Sequence, residues 1–295
     1  MIMSIFTGAG TALVTPFDDN GIDFAAFETL IEYQIEGGID ALVVCGTTGE
    51  SSTMTKEEDL SAIEFVVKQV AGRVPVIAGT GSNNTVTAIE TSMEAADLGV
   101  DGLLMVTPYY NKCTDVGLIK HYHAIADAVS TPIVVYNIPG RTGVNIKPSV
   151  MKEITGHENI VAIKDATGNI AQITETARLC PDIDIYSGCD DHVVPLLALG
   201  GKGVISVVSN LLPGLTHEMV MSFLSGDVAR SRALQFKLNP LIDALFVEVN
   251  PIPVKMALNM IGMNVGLPRM PLTEMSADKA VILKKELMAL DFDIA

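Results

Sequence analysis

One lysine in this chain sits where an amine is chemically useful. In the stretch from Asn159 to Gly168, Lys164 ends the apolar run Ile160-Val161-Ala162-Ile163, and the run stops at Ala166-Thr167-Gly168. That pattern reads as a strand ending at a site. An ammonium cannot attack a carbonyl, and burial against apolar neighbours favours the neutral amine. A lysine so placed suits Schiff-base formation with a keto acid; the alternative is a strand-end lysine that snorkels to solvent or pairs with a carboxylate. Asp165 is not the expected partner, because side chains alternate faces along a strand.

Other polar groups stand at the ends of similar runs. Val134-Val135-Tyr136-Asn137 ends one, and strands in register would set Tyr136 and Lys164 on one face, about 4.8 Å apart by strand spacing. A phenol there can shuttle the protons of addition and dehydration, or it can simply fill a core. Arg141, in Ile138-Pro139-Gly140-Arg141-Thr142-Gly143, suits bidentate capture of a carboxylate, or is a surface cation. Thr47 and Thr48 lie in the turn Gly46-Thr47-Thr48-Gly49-Glu50, whose amides and hydroxyls can converge on an anion. Its spacing is not that of a Walker motif. Tyr109 and Tyr110 offer a further hydroxyl, and Ser187-Gly188 and Ile205 are candidate close backbone contacts to a ligand. No metal is expected: His121 and His123 face different ways on a helix, His157 and His217 fall in or beside connections, and Cys189-Asp190-Asp191-His192 reads as a helix cap.

Eight short runs must position these residues: Thr11 to Thr15, Ala41 to Val44, Val74 to Ala78, Gly102 to Val106, Ile133 to Tyr136, Ile160 to Lys164, Ile183 to Ser187 and Gly203 to Val207. A helix-period segment follows each. Strands apolar on both faces, alternating with amphipathic helices, call for a buried parallel sheet. Eight units closing on themselves give a (β/α)8 TIM barrel; the rival, an open doubly wound sheet, lacks its Gly-x-Gly-x-x-Gly turn. Thr55-Lys56-Glu57-Glu58 opens one helix as a capping box, and Asn84 and Asn169 stand at the start of others. Residues 1–225 are thus expected to form the barrel. Residues 226–295 would form a helical appendage packed on it, with helices over Arg230 to Phe246, Pro253 to Ile261 and Ala277 to Leu290.

Nineteen Lys and Arg against 35 Asp and Glu leave the chain at -16, which excludes a phosphate-neutralising basic surface and so nucleic acid or an acidic membrane as partner. No apolar run is long enough to span a bilayer. Met1 to Thr7 has no basic region of a secretion signal, so the expected place is the cytoplasm. The cysteines Cys45, Cys113, Cys180 and Cys189 lie far apart without a CxxC, so reduced thiols are expected.

In order along the chain, Gly46-Thr47-Thr48-Gly49-Glu50, Val106-Thr107-Pro108-Tyr109-Tyr110-Asn111, Tyr136-Asn137-Ile138-Pro139-Gly140-Arg141-Thr142-Gly143 and Asn250-Pro251-Ile252-Pro253-Val254-Lys255 resemble the pyruvate-dependent Schiff-base aldolase family. The resemblance runs from about Gly8 to Leu267. It implies that Lys164 forms an imine with pyruvate, that Tyr136 shuttles protons, and that Thr47 and Tyr110 complete a hydroxyl relay, Tyr110 being lent by a neighbouring subunit. Thr48 and Ile205 would bind pyruvate, with Gly188 a further substrate contact, and no cofactor is implied. Arg141 would hold the carboxylate of L-aspartate 4-semialdehyde, whose own amine closes a ring after carbon–carbon bond formation. A dimer of dimers, a homotetramer, is the implied assembly. Sister branches cleave sialic acid or sugar-derived keto acids. They tend to vary the second position of the Gly-Thr-Thr-Gly-Glu turn and to lack Arg-Thr-Gly; both are kept here, favouring lysine and diaminopimelate biosynthesis. A non-catalytic keto-acid-binding barrel is the distant alternative. Asp165 stands where glutamate is common, and Lys255 is read as structural. Ser51, Asn83 and Tyr109 match a lysine-feedback site, but Lys56, Asp59 and Thr87 replace its histidines and glutamate, so weak or absent feedback is implied.

Overall fold

Runs rich in branched side chains become strands buried on both faces: β1 (Gly8–Ala12), β4 (Ala41–Val44), β5 (Val76–Gly79), β6 (Gly102–Val106), β7 (Ile133–Asn137), β8 (Ile160–Asp165), β9 (Asp184–Ser187) and β10 (Gly203–Ser206). They close in the order β1-β10-β9-β8-β7-β6-β5-β4, every pairing parallel. A short hairpin, β2 (Phe17–Asp18) with β3 (Gly21–Ile22), stands outside the barrel. The computed structural model describes residues 4–294; Met1–Met3, part of the N-terminal segment read above, and Ala295 lie outside the described residues.

Between the strands lie α1 (Phe24–Glu36), α2 (Lys56–Val70), α3 (Thr85–Asp97), α4 (Asp115–Ala128), α5 (Pro139–Thr142), α6 (Pro148–Ile154), α7 (Ile170–Leu179) and α8 (Val193–Leu197). After β10 come α9 (Pro213–Leu224), α10 (Val228–Ala244), α11 (Ile252–Met260) and α12 (Ala277–Met288). Local chemistry sets their starts. Thr55 and Glu58 form the reciprocal capping box of α2, while Asn84 and Asn169 accept backbone N–H bonds at α3 and α7.

Alternation along the strands sorts the apolar side chains into two cores. Ala41, Val43, Ile77, Leu104, Val134, Ala162 and Ile205 fill the barrel with Tyr136 and Tyr186, whereas Leu42, Val44, Met105, Val135, Ile163 and Val204 face the helices. The lower end is shut: the Phe6 ring stacks on Tyr186 at 4.4 Å, and the Tyr186 hydroxyl donates to the Phe6 carbonyl at 2.6 Å.

Four expectations are corrected. The first strand is Gly8–Ala12, not Thr11 to Thr15, because Gly8 and Gly10 hide a strand from a propensity reading. At Gly10 a Cβ would lie only 3.0 Å from the Phe6 ring, so the plug requires glycine there. The Ile138–Gly143 turn is the short helix α5, begun by Pro139. His217 lies within α9, not in a connection. Finally, Asp190 does not cap its own helix; it accepts from Val207 N and Val208 N beyond β10, at 2.9 and 3.0 Å.

Leu238 and Leu241 of α10, Val254 and Leu258 of α11, and Leu283 and Leu287 of α12 are buried in the same core as the barrel's outer face. The join is also electrostatic. Lys255, fully buried, donates to Glu50 Oε1 at 2.8 Å and to the carbonyls of Thr15 and Leu267, both at 3.0 Å. Arg269 N completes the carboxylate at 2.8 Å. A buried ion pair with every proton satisfied is tolerable; half of one is not. Lys255→Met should therefore destabilise the protein by about 3–5 kcal/mol. The double variant Glu50→Gln/Lys255→Met should lose clearly less. Urea unfolding followed by far-UV circular dichroism measures both, since the chain has no tryptophan to report.

Candidate active site

At the C-terminal ends of the strands a cavity of about 470 Å³ opens, lined among others by Thr47, Tyr109, Tyr136, Ile138 and Arg141. The register pairs Tyr136 of β7 with Lys164 of β8, and both point into the barrel. Lys164 is 6% exposed, and its Nζ lies 4.3 Å from the centroid of the Tyr136 ring. Asp165 does not pair with it, its Oδ1 instead accepting from Thr167 N at 2.9 Å and Thr167 Oγ1 at 2.6 Å.

Burial pushes the Lys164 ammonium down to about 8, against the pull of Asp190 and Cys189 and with help from the positive Arg141. The Tyr136 phenol is pushed well above its ordinary value, again by burial, with Arg141 and the Thr47 hydroxyl working in the opposite sense. An amine that deprotonates near neutrality thus faces a phenol that keeps its proton. That combination suits nucleophilic addition to a carbonyl followed by proton delivery.

The remaining sequence candidates are distributed unevenly. Thr48 is buried, and its Oγ1 accepts from Asn250 Nδ2 at 2.9 Å. Arg141 is exposed on α5, with Nη2 donating to the Asn250 carbonyl at 3.1 Å. Gly188 lies against the lysine stem: a Cβ there would sit 2.7 Å from Ala166 Cβ and 3.2 Å from Lys164 Cε, so only glycine leaves the amine clear. Ile205 is buried inside the barrel on β10. Tyr110 stands apart, 91% exposed with a left-handed φ of 69°, and Tyr109 rather than Tyr110 lines the cavity.

Two residues went unmarked in the sequence. Asp190, wholly buried beside Lys164, was read as a cap, and nothing in Cys189-Asp190-Asp191-His192 tells which carboxylate turns inward. Asn250 was visible only as part of a motif, without a role. Cys189, Asp191 and His192 bring three ligand atoms within 4.8 Å of one another. Burial and the nearby carboxylates push the Cys189 thiol up to about 12.

The family model described as the Dihydrodipicolinate synthetase family matches residues 5–290. A 4-hydroxy-tetrahydrodipicolinate synthase of Caldicellulosiruptor bescii is 56% identical over 287 residues, 97% of each chain. The crystal structure of dihydrodipicolinate synthase from Aquifex aeolicus is 44% identical with a TM-score of 0.96, covering 98% of this chain and 99% of that one. The chloride-inhibited enzyme of Acinetobacter baumannii, solved in complex with pyruvate, is 40% identical with a TM-score of 0.95 over 97% of this chain and 99% of its own.

The shifted amine has a sign that can be measured. Its folded value near 8 lies below the ordinary 10.5, so burying Lys164 opposes folding below about pH 8, and the opposition fades as pH rises toward 10.5. The reactive fraction grows from roughly one in ten at pH 7 to nearly all above pH 9. Arylation of Lys164 by trinitrobenzenesulfonate, scored by peptide mass, should climb between pH 7 and 9 and then level off. A rate still rising as steeply at pH 10 would mean an ordinary solvated lysine.

Proposed function

The chain belongs to the dihydrodipicolinate synthetase family, and from that membership we propose that it condenses pyruvate with L-aspartate 4-semialdehyde to give 4-hydroxy-tetrahydrodipicolinate, toward diaminopimelate and lysine. The observation that carries this reading is the buried, deprotonatable Lys164 paired across β7 and β8 with Tyr136.

In the proposed sequence, neutral Lys164 Nζ adds to the keto carbon of pyruvate, and loss of water leaves an imine. A methyl proton is then lost, giving an enamine whose carbon bonds to the aldehyde carbon of the second substrate. The substrate's own amine finally adds to the imine carbon, closing the ring and releasing Lys164. Tyr136 passes protons in the addition and dehydration. Because its phenol holds its proton tightly, it needs a relay rather than a free phenolate, and Thr47 with the Tyr110 of a second subunit supplies one. The Thr48 hydroxyl and the backbone at Gly188 and Ile205 hold pyruvate, while Arg141 takes the carboxylate of the semialdehyde. No cofactor is required.

Tyr110 supports an oligomeric site: an aromatic side chain 91% exposed, held on left-handed backbone, is strained for no benefit within one chain. We read the assembly as a homotetramer and residues 226–295 as a helical region packed on the barrel. No helix among the described residues is long and apolar enough to cross a membrane, and the four cysteines are free, which suits a cytoplasmic enzyme. Cleavage of sialic acid or sugar keto acids is not favoured, since the matched relative is a synthase.

Borohydride reduction with pyruvate, followed by peptide mapping, tests the central step. A single pyruvyl-derived increment on Lys164 is expected, and an unlabelled residue 164 refutes the reading. Tyr136→Phe should keep the adduct but lower kcat for semialdehyde condensation by about 10²–10⁴-fold. Lysine at submillimolar concentration should inhibit turnover weakly or not at all. The Lys56 ammonium is occupied by Glu94 at 2.9 Å and the half-buried Asp59 is bonded to Ser51 at 2.9 Å, so neither replaces the missing acid.

A further inference from the structure

The C-terminal region reaches the loop that carries Thr47 and Thr48 through one buried residue. Asn250 is 5% exposed, and it makes contact with both groups assigned above to substrate carboxylates. Its Nδ2 donates to Thr48 Oγ1 at 2.9 Å, and its main-chain carbonyl accepts from Arg141 Nη2 at 3.1 Å. The segment is pinned onto the same loop a few residues later, where Lys255 meets Glu50 at 2.8 Å.

A threonine hydroxyl carries one proton and can accept as well as donate. With Nδ2 occupying a lone pair of Thr48 Oγ1, the hydroxyl proton is free to point at something else, and an anion is the natural acceptor. The reversed amide would have Thr48 donate to Oδ1, turning that proton away from the cavity. Asn250 Oδ1 is buried without a hydrogen-bond partner, so the fold alone does not satisfy this side chain.

We infer that Asn250 is a positioning residue for pyruvate: its side chain fixes the Thr48 hydroxyl as a donor to the pyruvate carboxylate, while its main-chain carbonyl holds Arg141. The inference rests on the proposed condensation. It assigns to the helical appendage a part in substrate recognition.

The test is the pyruvate concentration that half-saturates borohydride trapping on Lys164, read beside KM and kcat. Asn250→Leu removes the donor at nearly constant size and should raise half-saturation about fivefold to tenfold, the weight of one hydrogen bond, with kcat little changed. Asn250→Asp should raise it further, because a carboxylate captures the Thr48 proton and repels the substrate. In a Thr48→Val background Asn250→Leu should add almost nothing, since the two act through one contact. The Leu and Asp variants match Asn in size but not in polarity, so either can carry the test should the other misfold. Unchanged half-saturation in both overturns the inference, as does an undiminished Asn250→Leu effect without Thr48. A loss confined to kcat would also overturn it. A wild-type chain that takes no adduct would instead remove the condensation reading itself.

Discussion

Taking the Lys164 ammonium out of water is the constraint around which the barrel is arranged. Holding that group at about 8 rather than 10.5 costs folding on the order of 3 kcal/mol near neutral pH. Inside a closed ring of strands filled by Val134, Ala162 and Tyr186, Lys164 is left only 6% exposed. Only Asp190 and Cys189 moderate the cost, and the shift shows that they do so incompletely. The rest of the molecule must supply the stability that this one residue withdraws.

Lys255 makes the point by contrast. It is as deeply buried as Lys164, yet it meets a carboxylate and two carbonyls, and so it ties the α11 segment to the loop that carries Thr47 and Thr48. The two lysines share burial and differ in company. One is satisfied and immobile; the other is left needing a partner, which is the condition for attacking a carbonyl.

What the sequence disclosed follows from where the signal was local. Branched runs marked seven strands closely, and the pairing of Tyr136 with Lys164 could be read from register alone. The first strand was misplaced because its glycines are demanded by Phe6 and Asp40, side chains from elsewhere in the chain. Asp190 and Asn250 were missed for a related reason. Asp190 bonds to amides beyond β10, and Asn250 bonds to a threonine from the β4 loop, so neither contact leaves a trace in neighbouring residues. Arg141 was placed beside the site but on a helix rather than a turn, a difference that Pro139 produces by starting a helical segment.

The stacked rings of Phe6 and Tyr186 make the barrel a blind well rather than a tunnel. Everything that visits the amine must arrive and depart by one mouth. A small oxo acid has to descend first, because a larger guest seated at the rim would bar its passage, and the finished ring must leave before another turn can begin. Traffic order is thereby written into the architecture.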